Sequence, residues 1–144
     1  MAFRRKSDSE RPQGNEPNSV RKEFEIATLD GRRDVLAHVD IKNSKRLGKY
    51  GVNLPALDDI AASSIEDAVA AREIVVIDEI GPMEISSKRF RDAVMHALQS
   101  ESLVLATIVK RSTPFTEKTK QCPALLFSKS GVRTARRLQT LLSV

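Results

Sequence analysis

Two short, unbroken apolar runs constrain the fold of this chain more than anything else in it: Glu73–Asp78 (EIVVID) and Leu103–Val109 (LVLATIV). Neither alternates polar with apolar residues, and both are rich in β-branched side chains. That pattern predicts strands covered on both faces. Between them, Phe90, Val94, Ala97 and Leu98 recur at helical spacing, with Ser86 or Ser87 available to cap the helix start. Upstream, Pro55 suits a first helical turn, and Leu57, Ile60, Ala61, Ile65, Ala68 and Val69 share one face to about Ala71. Downstream the pattern predicts a short helix around Phe115–Cys122 and a strand at Ala124–Phe127. A last helix over Gly131–Leu142 would turn Val132, Ala135, Leu138 and Leu142 inward. From residue 55 onward helices and short strands therefore alternate. This predicts an α/β fold in three layers, a parallel sheet with helices on both faces.

Ahead of this block the period is that of strands. Phe24, Ile26 and Thr28 alternate with Glu25 and Ala27, Asp30-Gly31 is a turn signal, and Asp34–Ile41 reads as the returning strand of an N-terminal β-hairpin. Lys42–Lys49 is a polar connection, followed by a short extended piece at Tyr50–Asn53. Residues 4–22 contain one strong hydrophobe, Val20, among Ser, Asn, Pro and charge. Burial there cannot offset the entropy of ordering. The expected organisation is a flexible segment over residues 1–22 and one α/β domain over 23–144.

At 144 residues the chain is long enough for one core. No apolar run approaches the ~18 residues that span a bilayer, and the basic residues of Met1–Lys6 are not followed by an apolar stretch. These features predict a cytoplasmic protein without a membrane partner. One Cys and two His exclude an internal disulfide and a clustered zinc site; His38 and His96 read as ordinary surface or amphipathic-face residues. Charge is uneven. Residues 23–109 hold ten basic against fifteen acidic residues, and residues 110–137 hold eight basic against Glu117 alone. The basic stretch suits anionic ligands or a solvated face. Five Phe and one Tyr in the whole chain offer few stacking platforms, which argues against single-stranded nucleic-acid binding.

The chemistry-bearing feature is the end of the first apolar run. Four apolar residues lead into Asp78-Glu79 and then Ile80-Gly81-Pro82-Met83-Glu84. A buried strand delivering Asp-Glu to the carboxyl edge of a sheet is the Walker B pattern, in which the Asp holds Mg²⁺ and the Glu activates water. Such a strand works with a phosphate-cradling GxxxxGK[ST] loop. The glycines are 14, 31, 48, 51, 81 and 131, and no two are five apart, so these 144 residues contain no such loop.

Wider strings carry a resemblance. IDEIGPMEISSKRFRDAV (Ile77–Val94), LVLATIV (Leu103–Val109) and LGKYGVNLPAL (Leu47–Leu57) resemble the small P-loop nucleoside-triphosphatases, the cancer-related or thermophile-type group with a RecA/KaiC-like fold. The pattern DEIGxMExxSxxF meets Asp78, Glu79, Ile80, Gly81, Met83, Glu84, Ser87 and Phe90. EFEIATLDG (Glu23–Gly31) resembles the family's hairpin, with Glu23 in place of the usual Gly. Ala106–Phe115 resembles its ATI-x-x-x-x-x-PF segment, with Thr113 where His is often found before the Pro. Ala2-Phe3 resembles the Gly-Phe that follows the family's P-loop helix. The resemblance then implies that the P-loop strand, loop and helix are missing from this sequence. The neighbours of that strand would be left with unpaired backbone groups. It leaves three alternatives open: a truncated enzyme, one half of a split enzyme completed by a polypeptide supplying the P-loop strand, or a non-catalytic binding or regulatory relative.

The resemblance implies Mg²⁺ as cofactor and NTP (ATP or GTP) as ligand, hydrolysed to NDP and phosphate. It assigns metal holding to Asp78, water activation to Glu79, close nucleotide approach to Gly81 and sensing of the γ-phosphate to Thr107. Lys110 and Arg111 read either as phosphate contacts or as solvated surface, Glu84 as a structural group, and Tyr50, Met83 and Met95 chiefly as core. Without a cradling loop, the purified chain should bind Mg²⁺-nucleotide no tighter than ~1 mM; isothermal calorimetry with ATP and GTP checks this.

Overall fold

The structure is a computed structural model that describes residues 2–6, 22–122, 126–127 and 133–136. Its elements run β1 (Ala2–Lys6), β2 (Glu23–Thr28), β3 (Arg33–His38), β4 (Arg46–Leu47), β5 (Tyr50–Val52), α1 (Leu54–Ala56), a π-helical segment (Leu57–Ala62), α2 (Ser63–Ala70), β6 (Val75–Ile80), a 3₁₀ turn (Glu84–Ser86), α3 (Lys88–Gln99), β7 (Val104–Ile108), α4 (Pro114–Lys120), β8 (Leu126–Phe127) and β9 (Arg133–Arg136). Among the described residues, the nine strands form one sheet in the order β4-β5-β3-β2-β1-β6-β7-β9-β8.

The α/β class stands, but the sheet is mixed rather than parallel. Among the described residues only β1–β6 and β6–β7 pair in parallel; the other neighbours are antiparallel. The reason lies at the two ends. The hairpin places β2 and β3 side by side, as Asp30-Gly31 predicts, with Gly31 at φ +94° and its N–H bonded to the Thr28 carbonyl at 3.1 Å. The Thr28 hydroxyl, and more weakly Arg32, hold the Asp30 carboxyl below its usual range. Arg32 also reaches Ser64 Oγ at 2.8 Å, tying the turn to α2.

Two expectations about the termini change. Residues 4–6 belong to strand β1, not to a flexible segment; residues 7–21 lie outside the described residues. β1 sits mid-sheet, antiparallel to β2 (Phe3 beside Thr28) and parallel to β6 (Arg4 beside Asp78). Five residues with little apolar content are ordered here by backbone hydrogen bonding on both edges, which composition does not register. At the other end, Arg133–Arg136 is a strand antiparallel to β7, not helix. The edge groups of β7 accept a ladder, and that outweighs the helical spacing of Val132, Ala135, Leu138 and Leu142. Residues 131–132 and 137–142 of the expected helix, and 124–125 of the expected strand, lie outside the described residues. Both β6 and β7 are consequently paired on each side, in contrast to the open edges that a missing strand implies.

The helical expectations near the core hold. Asn53 caps α1 through Ala56 N–H, Pro55 lies in the first turn, and the helical path continues through the π-helical segment into α2. Ser87 is the cap of α3. Thr113 caps α4 in a reciprocal box with Thr116. The π-helical segment, α2 and α3 pack on one another, and α2 meets β1 and β6. Beneath them lie Val75, Ile77, Val104, Ala106 and Ile108, all buried, with Phe90, Val94 and Leu98 from α3. The opposite face differs from the doubly covered strands expected: Asp78 and Leu105 are exposed there. Tyr50 meets Phe24 edge-on at 4.9 Å, in keeping with a packing role. Among the described residues no helix is long and apolar enough to cross a membrane.

If β1 is a central strand, amide protons of residues 3–5 should exchange as slowly as those of β2. Arg4→Pro, which removes a ladder donor, should speed exchange across β2 and β6 as well. Hydrogen-exchange mass spectrometry or NMR measures both.

Candidate active site

Strand alternation would place Ile77 and Ile80 on opposite faces, because they are three residues apart. Both are nevertheless buried, Ile77 beside Ala106 and Ile80 beside Ile108. Three steps on β6 thus match two on β7, a bulge that absorbs one residue at Asp78-Glu79. Bulges re-aim side chains where ordinary pairing cannot. Here the result is two consecutive carboxylates at the carboxyl end of the strand, Asp78 exposed and Glu79 half-buried. Below the bulge, the in-register pairs Val76–Leu105 and Ile77–Ala106 place Asp78 and Thr107 next in line on the open face. Thr107 is half-buried in β7. The structure therefore brings together Asp78, Glu79 and Thr107 from two strands.

Gly81 follows at once, and a side chain there would force a neighbouring carboxylate to shift. A Cβ there would lie 2.8 Å from Glu84 Oε2 and 3.3 Å from Glu79 Oε1. The two carboxylates close on the space that a side chain would fill. Glu84 is fully buried and opens the 3₁₀ turn, whose Ile85 N–H returns to the Gly81 carbonyl at 3.0 Å. This supports the structural reading of Glu84. Met83 is buried in the core, as expected, and Met95 packs against it.

Ser87 then accepts the Phe90 N–H at 3.0 Å and donates its hydroxyl to Asp58 Oδ1, so one side chain caps α3 and ties it to the π-helical segment. Phe90 is wholly buried. The Ser and Phe of the DEIGxMExxSxxF string thus hold the loop in place, while its Asp and Glu face the sheet edge. Asp58 was not singled out from sequence; its signal is only positional, an acid in a helix start that faces a second cap.

A groove of about 500 Å³ runs along this junction, lined among others by Lys45, Asp58, Ser87, Lys88, Arg89 and Arg91. Its cations are largely engaged. Lys88 pairs with Asp92 at 2.6 Å, and Arg89 clasps Glu66 through Nε at 3.1 Å and a terminal nitrogen at 2.7 Å. The Glu66 contacts raise the Arg89 pKa further. Arg91 donates to the Ile85 carbonyl. Neither Asp78 nor Glu79 lines this groove. His38 lies between Glu23 and Asp40 on the hairpin, away from β6.

At the carboxyl end of β7 the chain passes through Val109, whose N–H bonds to the Ile80 carbonyl at 3.2 Å, to exposed Lys110 and Arg111. Because β6 and β7 are parallel, Gly81 and Lys110 each leave the same edge one residue beyond that bond. In open α/β sheets this edge is where ligands bind.

Three substitutions test the loop's scaffold. Ser87→Ala should lower stability by about 1–2 kcal/mol, since it removes a cap and a hydroxyl bond to Asp58, while Ser86→Ala costs less. Gly81→Ala should cost ~1–3 kcal/mol because a buried carboxylate must shift. Urea denaturation of the three variants checks the order.

A family model described as NTPase matches residues 13–132. Nucleoside-triphosphatase THEP1 of Thermotoga sp. (strain RQ2) is 46% identical over 97 residues, which cover 67% of this chain and 56% of that protein. The crystal structure of THEP1 from the hyperthermophile Aquifex aeolicus superposes with a TM-score of 0.65 at 32% identity, covering 72% of this chain and 64% of that one. The solution structure of a human cancer-related nucleoside triphosphatase gives 0.60 at 27% identity, covering 83% and 68%. The chain spans about half the length of the curated relatives it matches. With its Asp-Glu bulge and the loop behind it inside the matched span, the chain belongs to the NTPase family of the THEP1 nucleoside-triphosphatases.

Proposed function

We propose that this chain carries the metal-holding and water-activating half of an Mg²⁺-dependent nucleoside-triphosphatase, hydrolysing NTP to NDP and phosphate. The phosphate cradle would come from a P-loop segment outside these 144 residues. The carrying observation is the bulge that sets Asp78 and Glu79 side by side at the carboxyl end of a parallel strand, within a chain of this family. On this reading the cytoplasmic protein has the RecA/KaiC-like arrangement of strands around the nucleotide.

The donor chemistry suits Mg²⁺. Asp78 offers an exposed carboxylate oxygen, and a hard, strongly hydrated ion that keeps its waters needs only one or two of these beside substrate phosphates. Among the described residues, no group of three or more His, Cys, Asp or Glu gathers that could hold a metal ion. A dedicated all-protein cage is therefore not the model. When bound, Mg²⁺ supplies neutralisation of phosphate charge. Asp78 is the residue that would hold the metal. Glu79 takes the proton from the attacking water, a contribution of roughly 10²–10⁴-fold. Gly81 makes room for the Glu79 and Glu84 carboxylates that close on it, not for the nucleotide as the resemblance implies, and Thr107 would face the γ-phosphate from β7. A second reading is a non-catalytic binding or regulatory module.

Phosphate release with and without an added P-loop segment of the family tests the proposal. Under complementation, Glu79→Gln should abolish turnover while leaving nucleotide binding nearly intact, because the lost group acts on water. Asp78→Asn should weaken Mg²⁺-dependent binding. Equal turnover of Glu79→Gln and the parent would remove Glu79 from the catalytic role. No hydrolysis by any complemented protein would favour the second reading.

A further inference from the structure

We infer that Lys110 and Arg111 form a polyphosphate-binding pair at the shared carboxyl edge of β6 and β7, standing beside the Asp-Glu bulge as the cations for a nucleotide's phosphates. This rests on the reading of that edge as the nucleotide site, and it assigns the phosphate contact to residues outside any cradling loop.

Three observations carry it. The first is position: the Val109–Ile80 hydrogen bond fastens the two strand ends together, so Lys110 and Gly81 leave the sheet at the same edge. The second is availability. Both residues are exposed and neither makes an ion pair among the described residues, a state they share with Lys42, Lys45, Arg72 and Lys118 at other places in the fold, whereas Arg32, Arg33, Lys88, Arg89 and Lys120 each hold a carboxylate. A cation already paired must give up its partner to bind phosphate; Lys110 and Arg111 need not. The third is chemistry. Phosphate groups carry negative charge, and a cation pair at the carboxyl edge of the sheet attracts them. Lys acts as a mobile point charge and Arg as a planar fork, a combination that suits adjacent phosphate groups rather than a single carboxylate.

The binding needs no metal, which allows it to be measured apart from hydrolysis. The probe is inorganic tripolyphosphate added to the full chain without Mg²⁺, followed by ³¹P NMR line widths and by amide shifts of Gly81 and Lys110. The parent should bind with a Kd of ~1–10 mM. Lys110→Ala/Arg111→Ala should weaken this about tenfold or more, and rising salt should weaken the parent in step. Lys88→Ala, which alters a paired cation on α3, should leave affinity within about twofold. Circular dichroism on each variant verifies folding, which these exposed positions should not disturb. No saturable binding by the parent up to about 20 mM would overturn the inference, as would a double variant that binds like the parent or an equal loss in Lys88→Ala. Failure of Glu79→Gln to affect complemented turnover would count against the catalytic reading and leave this metal-free measurement standing.

Discussion

Everything at the candidate site depends on the parallel pairing of β6 with β7 and the one-residue bulge within it. Parallel pairing sends both strands out of the same edge of the sheet. That puts Asp78 and Glu79 from one strand near Thr107, Lys110 and Arg111 from the next. The bulge reconciles two demands that regular alternation cannot meet together: Ile77 and Ile80 both enter the core, and two carboxylates stand consecutively between them. Burying two isoleucines stabilises by roughly 1.5–3 kcal/mol each. The core thus enforces the irregularity, and the exposed carboxylates inherit a fixed position from it.

The loop behind the bulge is a scaffold built from side chains that sequence patterns present as a single string. Gly81 leaves space on which the Glu79 and Glu84 carboxylates converge, Glu84 is buried beneath, and Ser87 joins the start of α3 to Asp58. These residues act on position, not on substrate. Asp78 and Glu79, by contrast, lie where solvent reaches them. A string such as DEIGxMExxSxxF therefore mixes two roles, and the burial of Glu84, Ser87 and Phe90 against the exposure of Asp78 separates them.

The edges of the parallel core tell a related story. A sheet strand with an unpaired edge seeks a partner, and here β1 covers β6 while β9 covers β7. Both covering segments are basic in sequence and poor in large hydrophobes, so neither announces itself as a strand. Their pairing places positive residues of the chain's two ends in the register of the central strands, Arg4 opposite Asp78 and Arg133 opposite Ile108.

The sequence by itself determined the hairpin at Asp30-Gly31, the helical turn at Pro55, a cap for α3 at Ser86 or Ser87, the two buried strands and the Asp78-Glu79 pair at the end of one of them. Each rests on local physics: a turn that wants φ above zero, a cap that satisfies orphan N–H groups, or a run of β-branched residues. Tertiary structure alone decided the mixed sheet, the strand state of Ala2–Lys6 and Arg133–Arg136, the exposed face at Leu105 and the Ser87–Asp58 tie. Those depend on which backbone edges are left to fill and on contacts between residues far apart in sequence, 29 positions in the case of Ser87 and Asp58. No local pattern encodes a partner at that distance. The α/β alternation was legible because burial has a period; the direction and order of the strands were not, because hydrogen-bond pairing has none.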